Sequence, residues 1–240
     1  MKFLDVLQQA FIVRQCVICN EPIGYDRKIA ICDDCMKYWI SNLDVLCDKC
    51  GYESEYCTCV NKKTLRSIDF SVFCIFYKKT SNNPVKRIVY RLKREYNRQI
   101  FKFCTEIMVE KAKKSFAKHN MSLKDFIVTY PPRRWRSKQK FGYDHGYEVA
   151  RLFAKYLGLK MEKCFINKRG KEQKKLTRAE RFINAKKAYK LRKDADVANK
   201  NYIIIDDVLT TGSTINACAS LLKEKGAGFV VPVCFAKDIN

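Results

Sequence analysis

The chain has 240 residues, a length that suits two domains or one domain with an appendage. Hydrophobic residues make up 47% of it, which allows a sizeable core and argues against wholesale disorder. Its 48 lysines and arginines outnumber 25 acidic residues, for a formal net charge of +23. Such an excess favours a polyanionic partner, although a solvated lysine-rich surface that only keeps the protein soluble is the alternative.

The first 13 residues carry apolar side chains at helical spacing and predict a short amphipathic helix packed on the next domain. Asp5 interrupts the apolar stretch and no small-residue cleavage site follows it, so we expect no signal peptide. No apolar run approaches the roughly 20 residues that a membrane-spanning helix needs. These features predict a cytoplasmic protein.

Eight of the 13 cysteines lie between residues 16 and 59, in three C-x-x-C pairs and a final C-x-C. In a cytosolic chain, paired knuckles of this kind favour tetrahedral zinc over disulfides. Sequential pairing predicts two closed four-thiolate sites, which stabilise a small domain rather than catalyse a reaction. The first site would comprise Cys16, Cys19, Cys32 and Cys35, and the second Cys47, Cys50, Cys57 and Cys59.

The second quartet has the weaker spacing, because a single residue separates Cys57 from Cys59, and interleaved pairing is the alternative. Asn20 and Gly51 directly follow the second cysteine of the first and third pairs. Both residues tolerate the left-handed backbone that turns N–H groups towards thiolates. We therefore expect residues 1–62 to hold a helix and a double zinc ribbon, and residues 63–240 to form a second domain.

Most of the positive charge lies in the middle of the chain, where residues 61–200 hold 39 lysines and arginines against 12 acidic residues. After a β-rich stretch at 68–77, a helical pattern begins at Pro84 and continues to Ile107, which predicts one long helix. Basic residues and tyrosines share its polar face, as in the grooves and stacking platforms that bind single strands. The nucleic-acid candidates on this helix are Tyr90, Arg91, Lys93, Arg94 and Arg98, with Tyr96 interleaved.

Strands and helices alternate beyond the long helix. The sequence predicts strands at 126–130, 161–166 and 229–235, and helices at 147–157 and 171–187. Pro131 and Pro132 keep the turn after the first of these strands from becoming helix at once. This order indicates an α/β fold with a largely parallel sheet, whose ligand site lies outside the carboxyl ends of the strands.

The most informative segment is YIIIDDVLTTGST, residues 202–214. Four apolar or aromatic residues predict a buried strand, and Asp206 and Asp207 follow at its end. The turn after them is rich in threonine and glycine and opens a helix, so its hydroxyl and N–H groups can hold a phosphate. Carboxylates at this position suit ribose hydroxyls, directly or through Mg²⁺. An acidic turn before a capped helix, without a ligand, is the alternative.

This segment closely resembles the phosphoribosyl pyrophosphate-binding motif of type I phosphoribosyltransferases. The resemblance implies that Asp206 and Asp207 bind the ribose hydroxyls with Mg²⁺. It also implies a 5′-phosphate cradle formed by Thr210, Thr211, Gly212, Ser213 and Thr214. Thr210 stands where purine-salvage enzymes that resemble this motif carry an aspartate, and threonine is a poor general base at neutral pH. Whether the protein catalyses a transfer is therefore left open by the sequence.

A wider resemblance covers roughly residues 14–236. In chain order, the motifs that carry it are the cysteine quartets, Tyr77, Leu92-Lys93, the Pro-Pro-Arg-Arg turn at 131–134, Gly142-Tyr143-Asp144-His145, a run from Gln173 to Tyr189, and the segment at 202–214. Together they resemble the ComF family of bacterial competence proteins. The resemblance implies a type I phosphoribosyltransferase fold with a mostly parallel sheet, preceded by a small zinc-ribbon domain, in the bacterial cytoplasm.

The ComF resemblance implies further site residues. Arg133 and Arg134 lie where relatives bind pyrophosphate, and arginine can grip phosphates bidentately. A loop and hood over the site would contain Lys140, Gly142, His145, Gln173, Arg181 and Asn184. His145 departs from the glutamine usual in the family, which can alter a ligand contact. For the last three residues, a surface helix without a role is the alternative.

Three functions follow from these observations. The first is binding of single-stranded DNA during uptake, with phosphoribosyl pyrophosphate or a related ligand in the phosphoribosyl site. The basic middle region and the resemblance favour it. The second is an active phosphoribosyltransferase with an unidentified acceptor, and the third is an adaptor whose zinc ribbons dock on a helicase-like partner. The implied cofactors are two structural zinc ions, and magnesium with phosphoribosyl pyrophosphate.

Overall fold

The computed structural model describes residues 14–24, 29–43, 45–47, 50–57, 59, 67–77, 83–168 and 187–238. The α-helices are α1 (Asp33–Leu43), α2 (Pro84–Arg94), α3 (Arg98–Lys118), α4 (Trp135–Phe141), α5 (His145–Leu157) and α6 (Ser213–Lys223). The strands are β1 (Val72–Tyr77), β2 (Phe126–Thr129), β3 (Phe165–Asn167), β4 (Tyr189–Leu191), β5 (Asn201–Leu209) and β6 (Val230–Asp238). The predicted N-terminal helix and Gln173, Arg181 and Asn184 lie outside the described residues.

Four strands form one parallel sheet in the order β1-β6-β5-β2. The central strands β5 and β6 are almost continuous runs of buried residues, as expected where helices cover both faces of a sheet. Ile203 and Ile205 belong to the core cluster that contains α3 and α5, whereas Tyr202 and Ile204 belong to the cluster that contains α6. The predicted α/β fold with a largely parallel sheet is thus confirmed, and β3 and β4 form a separate antiparallel pair.

Most predicted elements after residue 126 lie at the expected positions. Strand β2 and helix α5 match the predictions for 126–130 and 147–157 to within two residues. The strand predicted at 161–166 is instead a bridge between Val128 and Met161 followed by β3. The five cysteines outside the quartets are buried, as expected for small apolar residues. No helix in the described part of the chain is long and apolar enough to cross a membrane.

The prediction of one long helix from Pro84 to Ile107 is wrong, because α2 ends at Arg94 and α3 begins at Arg98. The side chain of Asn97 accepts hydrogen bonds from the backbone N–H groups of Gln99 and Ile100, at 2.9 and 3.3 Å. Asparagine is among the best residues for capping a helix in this way. The break lets α2 end against the carboxyl edge of the sheet.

The cysteine-rich region packs directly on the α/β core. Trp39 of α1 stacks on Phe235 of β6, with ring centroids 5.7 Å apart, and meets Phe103 of α3 edge-on. The hydroxyl of Ser54 donates to the backbone carbonyl of Cys74 in β1, at 3.0 Å. The two parts of the chain therefore share an apolar contact and a buried polar one.

Candidate functional site

Two neighbouring carboxylates lie near the carboxyl end of β5. Asp206 is partly buried and pairs in register with Cys234 of β6, while only 7% of Asp207 is exposed. The backbone N–H of Asp207 donates to Oδ1 of Asp206, at 2.9 Å. Both acids therefore lie at one point on the edge of the sheet, as the sequence predicted.

Two nitrogen donors hold the buried Asp207. Lys93 Nζ lies 3.0 Å and His145 Nε2 lies 3.1 Å from the same oxygen, Asp207 Oδ2. Burial by itself would raise the pKa of Asp207, but the nearby Lys93 and His145 outweigh it and hold that pKa well below its usual range. Burial and the charge of Asp207 together raise the pKa of Asp206 to about 8. The two neighbouring carboxyls therefore differ in acidity, and Asp207 is the stronger acid.

The turn after β5 presents hydroxyl groups at the start of α6. Gly212 has a φ of 72°, in the left-handed region that glycine adopts without strain, and it precedes α6 without a side-chain cap. The hydroxyls of Thr211 and Ser213 share a hydrogen bond of 2.9 Å. The first N–H groups of a helix have no partner within the helix, so this turn combines them with two hydroxyls. Such a combination can bind a phosphate.

The antiparallel pair of strands β3 and β4 forms a second wall beside this turn. Asn167 of β3 donates from Nδ2 to the backbone carbonyl of Pro132, at 2.8 Å, and pairs in register with Tyr189 of β4. Burial raises the pKa of Tyr189, and the charge of Arg134 and a hydrogen bond with Thr214 oppose that shift. The β3–β4 pair thus joins the predicted pyrophosphate turn to the predicted phosphate turn, a contact that no pattern in the sequence signals.

The side chain of Arg133 connects the pyrophosphate turn to α2. Its guanidinium donates from Nη2 to the carbonyl of Lys93, at 2.8 Å, and lies 4.8 Å from the ring centroid of Phe141. Its backbone N–H donates to Asp144 Oδ2, at 3.1 Å. Close by, the Tyr143 hydroxyl donates to the carbonyl of Leu92, at 3.0 Å. Arg133 therefore braces the turn, while Arg134 lies partly exposed near Tyr189 of β4.

The residues predicted to form a loop over the site are largely helical. Lys140 is exposed in the last turn of α4, Gly142 ends that helix with a φ of 73°, and His145 begins α5. The loop prediction is wrong for Lys140. The imidazole of His145 contacts the carboxylate of Asp207, and its contact with a ligand stays a prediction.

Within the described part of the chain, several buried polar atoms around this edge have no hydrogen-bond partner. They are Arg133 Nη1, Asp144 Oδ1, His145 Nδ1, Asn167 Oδ1 and Asn216 Oδ1. Buried polar groups in proteins are normally paired, so these atoms can pair with a polar ligand or with water. Acidic oxygens, hydroxyls and orphaned donors and acceptors together fit a sugar phosphate with a hard divalent cation.

Comparison with known proteins agrees with this geometry. The family model described as phosphoribosyl transferase domain matches residues 144–238, which include His145, the acidic pair and the phosphate turn. Residues 144–238 form a phosphoribosyl transferase domain. Together with the parallel sheet, this match confirms the predicted type I phosphoribosyltransferase fold.

The whole chain is similar to two proteins named DNA utilization protein YhgH, from Salmonella typhimurium (strain LT2) and Salmonella typhi. Each is 24% identical over 236 residues, which cover 93% of this chain and 97% of the relative. Adenine phosphoribosyltransferase from Saccharomyces cerevisiae is 18% identical, with a TM-score of 0.38 over 67% of this chain and 81% of that one. The family match and the full-length likeness confirm the resemblance to the ComF family, which combines cysteine clusters with a phosphoribosyl transferase domain.

The cysteines of the N-terminal region come together in two groups of four. The groups are the two sequential quartets that the sequence favoured. Within each quartet all four Sγ atoms lie within 4.8 Å of one another. The Cys19–Cys32 and Cys50–Cys57 Sγ distances are 3.5 and 3.7 Å, near the roughly 3.8 Å expected between thiolates around tetrahedral zinc. Asn20 and Gly51 have the expected left-handed backbone, with φ of 71° and 69°. Each quartet can therefore hold a zinc ion.

The nucleic-acid candidates on α2 and at the start of α3 have three different environments. Arg91 is buried and donates to the carbonyl of Cys16, at 3.0 Å, so it joins α2 to the first cysteine quartet. Lys93 belongs to the acidic site. Arg94 is exposed and lies over the exposed ring of Tyr90, 4.2 Å from its centroid, and Arg98 is also exposed. Arg91 is therefore not a surface group, and the partly exposed Lys93 is paired with Asp207.

Proposed function

We propose that this protein binds phosphoribosyl pyrophosphate, or a related phosphoribosyl ligand, with Mg²⁺ at the carboxyl edge of the sheet. One observation carries the proposal. The acidic pair lies near the carboxyl end of β5, and the hydroxyl turn leads from that strand into the start of α6. Asp206 and Asp207 would accept hydrogen bonds from ribose hydroxyls and hold the cation. Thr211, Gly212 and Ser213 would bind the 5′-phosphate. Mg²⁺, when bound, supplies positive charge opposite the pyrophosphate.

The two arginines of the pyrophosphate turn would have different roles. Because the guanidinium of Arg133 already donates to the carbonyl of Lys93, we propose it as a brace for the turn. Arg134 is partly exposed beside Tyr189 and is the better placed to bind pyrophosphate oxygens. We keep Thr210, which is exposed, and Thr214 in the phosphate cradle because they flank the bonded hydroxyl pair.

We further propose that single-stranded DNA binds over the end of α2 and the start of α3. The support is the chain's net charge of +23, the full-length likeness to proteins named for DNA utilization, and a surface of mixed aromatic and basic groups. That surface consists of Tyr90, Arg94, Tyr96 and Arg98, and both of its tyrosine side chains are about half exposed. Exposed rings can stack on bases while arginines neutralise phosphates.

An active phosphoribosyltransferase with an unidentified acceptor is the second candidate, favoured by the match to the phosphoribosyl transferase domain. We rank it second because Thr210 is a poor general base at neutral pH. Two titrations on one sample test the ranking, the first with phosphoribosyl pyrophosphate and Mg²⁺, the second with labelled single-stranded DNA. Binding of both supports the proposal. A protein that ignores single-stranded DNA at low salt but turns over phosphoribosyl pyrophosphate with a defined acceptor would reverse the ranking.

A further inference from the structure

A lysine from outside the matched domain neutralises the buried acid of the ligand site. Lys93, in the last turn of α2, places its ammonium 3.0 Å from Asp207 Oδ2. Burial strongly destabilises the ionised form of a carboxylate such as Asp207, unless a positive charge lies next to it. A divalent cation bound to Asp207 Oδ2 would also place positive charge next to this oxygen.

The side chains of Lys93 and His145, which both contact Asp207, differ in how easily they can move away from it. His145 begins α5, its imidazole is only 12% exposed, and a neutral imidazole can donate from Nε2 without bringing a charge. The side chain of Lys93 is 40% exposed, and its backbone carbonyl is held in place by Arg133. The ammonium on its flexible stem can therefore swing away while the end of α2 stays fixed.

We infer that Lys93 is a resident counter-ion that competes with a divalent cation for Asp207. Two cations cannot share one carboxylate oxygen without strong repulsion, so the cation displaces the ammonium. The inference rests on the proposed Mg²⁺-dependent site, and it adds a residue that lies outside the domain matched at 144–238.

The test measures binding of Mn²⁺ alone, by the loss of the free-ion resonance in electron paramagnetic spectra at about pH 8. Lys93→Met removes the competing charge with little change in shape and should tighten Mn²⁺ binding on the order of tenfold or more. Lys93→Arg retains a cation and should bind Mn²⁺ nearly as the wild type does. Lys86→Met, two turns back along the same helix, is the matched control and should leave the affinity unchanged. Mn²⁺ binding by Lys93→Met that equals or falls below the wild type would overturn the inference.

A second pair of variants locates the effect. If competition acts through Asp207, then Asp207→Asn and the double variant Asp207→Asn with Lys93→Met should bind Mn²⁺ equally weakly. Lys93→Gln provides the same comparison should the methionine variant fail to fold. A wild type that binds phosphoribosyl pyrophosphate, combined with no gain in the Lys93 variants, rejects this inference alone. Tighter Mn²⁺ binding in those variants, combined with no phosphoribosyl pyrophosphate binding by the wild type, rejects the proposed ligand instead.

Discussion

Replacing Lys237 by methionine tests whether the second cysteine quartet depends on the sheet beneath it. Lys237, near the end of β6, is 7% exposed and donates from Nζ to Cys57 Sγ, at 3.0 Å. Its ammonium also lies 5.1 and 5.7 Å from the ring centroids of Phe73 and Phe76. Four thiolates around one zinc ion carry a net charge of about −2, so a buried cation at this distance offsets part of it. Methionine retains the apolar stem and removes the charge.

The expected loss follows from the hydrogen bond between Lys237 and Cys57. A charged hydrogen bond contributes about 1.5–3 kcal/mol, so a zinc ion in the second quartet should be held roughly 10- to 150-fold less tightly in the variant. The assay is zinc transfer to a chromogenic chelator, in which the first quartet serves as the internal reference. Lys225→Met, at an exposed position, is the matched control. If both zinc ions leave Lys237→Met at the wild-type rates, Lys237 does not stabilise the quartet and the electrostatic reasoning is refuted.

Three further predictions concern α2 and α3. Reversing charge with Arg94→Glu and Arg98→Glu should reduce the salt slope of single-stranded DNA binding by about 0.7 for each phosphate that is no longer neutralised, measured by fluorescence anisotropy across a salt series. A slope equal to that of the wild type would place the DNA elsewhere. Replacing Tyr90 and Tyr96 by alanine should weaken the same binding with little change in slope, because stacking releases no counter-ions, and unchanged affinity would contradict this. Asn97→Ala should lower the free energy of unfolding by about 1 kcal/mol in urea titrations, since it removes a helix cap; no change would show that the cap is dispensable.

Local sequence patterns were sufficient to predict the sheet and the core of the site. The run from Tyr202 to Ile205 is buried on both faces of the sheet, so its apolar continuity identified the central strand. The order of strand, acidic pair and hydroxyl turn also indicated the position of the candidate site, because these parts are adjacent in the chain. The cysteine quartets followed from spacing for the same reason.

Contacts between distant segments could not be predicted from local patterns. Arg91, Lys93 and Arg94 are neighbours in the sequence and equal in charge, but their side chains contact a carbonyl of Cys16, the carboxylate of Asp207 and the ring of Tyr90. Which group each basic side chain contacts depends on how α2 packs against the sheet and the first cysteine quartet. That packing follows from the break between α2 and α3 at Asn97. The sequence did not predict the break, because the helical spacing of apolar residues continues across it.

The proposed function depends above all on the acidic pair and the hydroxyl turn holding a phosphoribosyl ligand with Mg²⁺. The decisive measurement is a calorimetric titration of phosphoribosyl pyrophosphate into the wild type and into the double variant Asp206→Asn with Asp207→Asn. The wild type should bind only when Mg²⁺ is present, and the double variant should lose most of that affinity because the hydroxyl acceptors and the cation's ligands are removed together. Equal binding by the two proteins would contradict the proposed function and leave the acidic pair with a structural role alone.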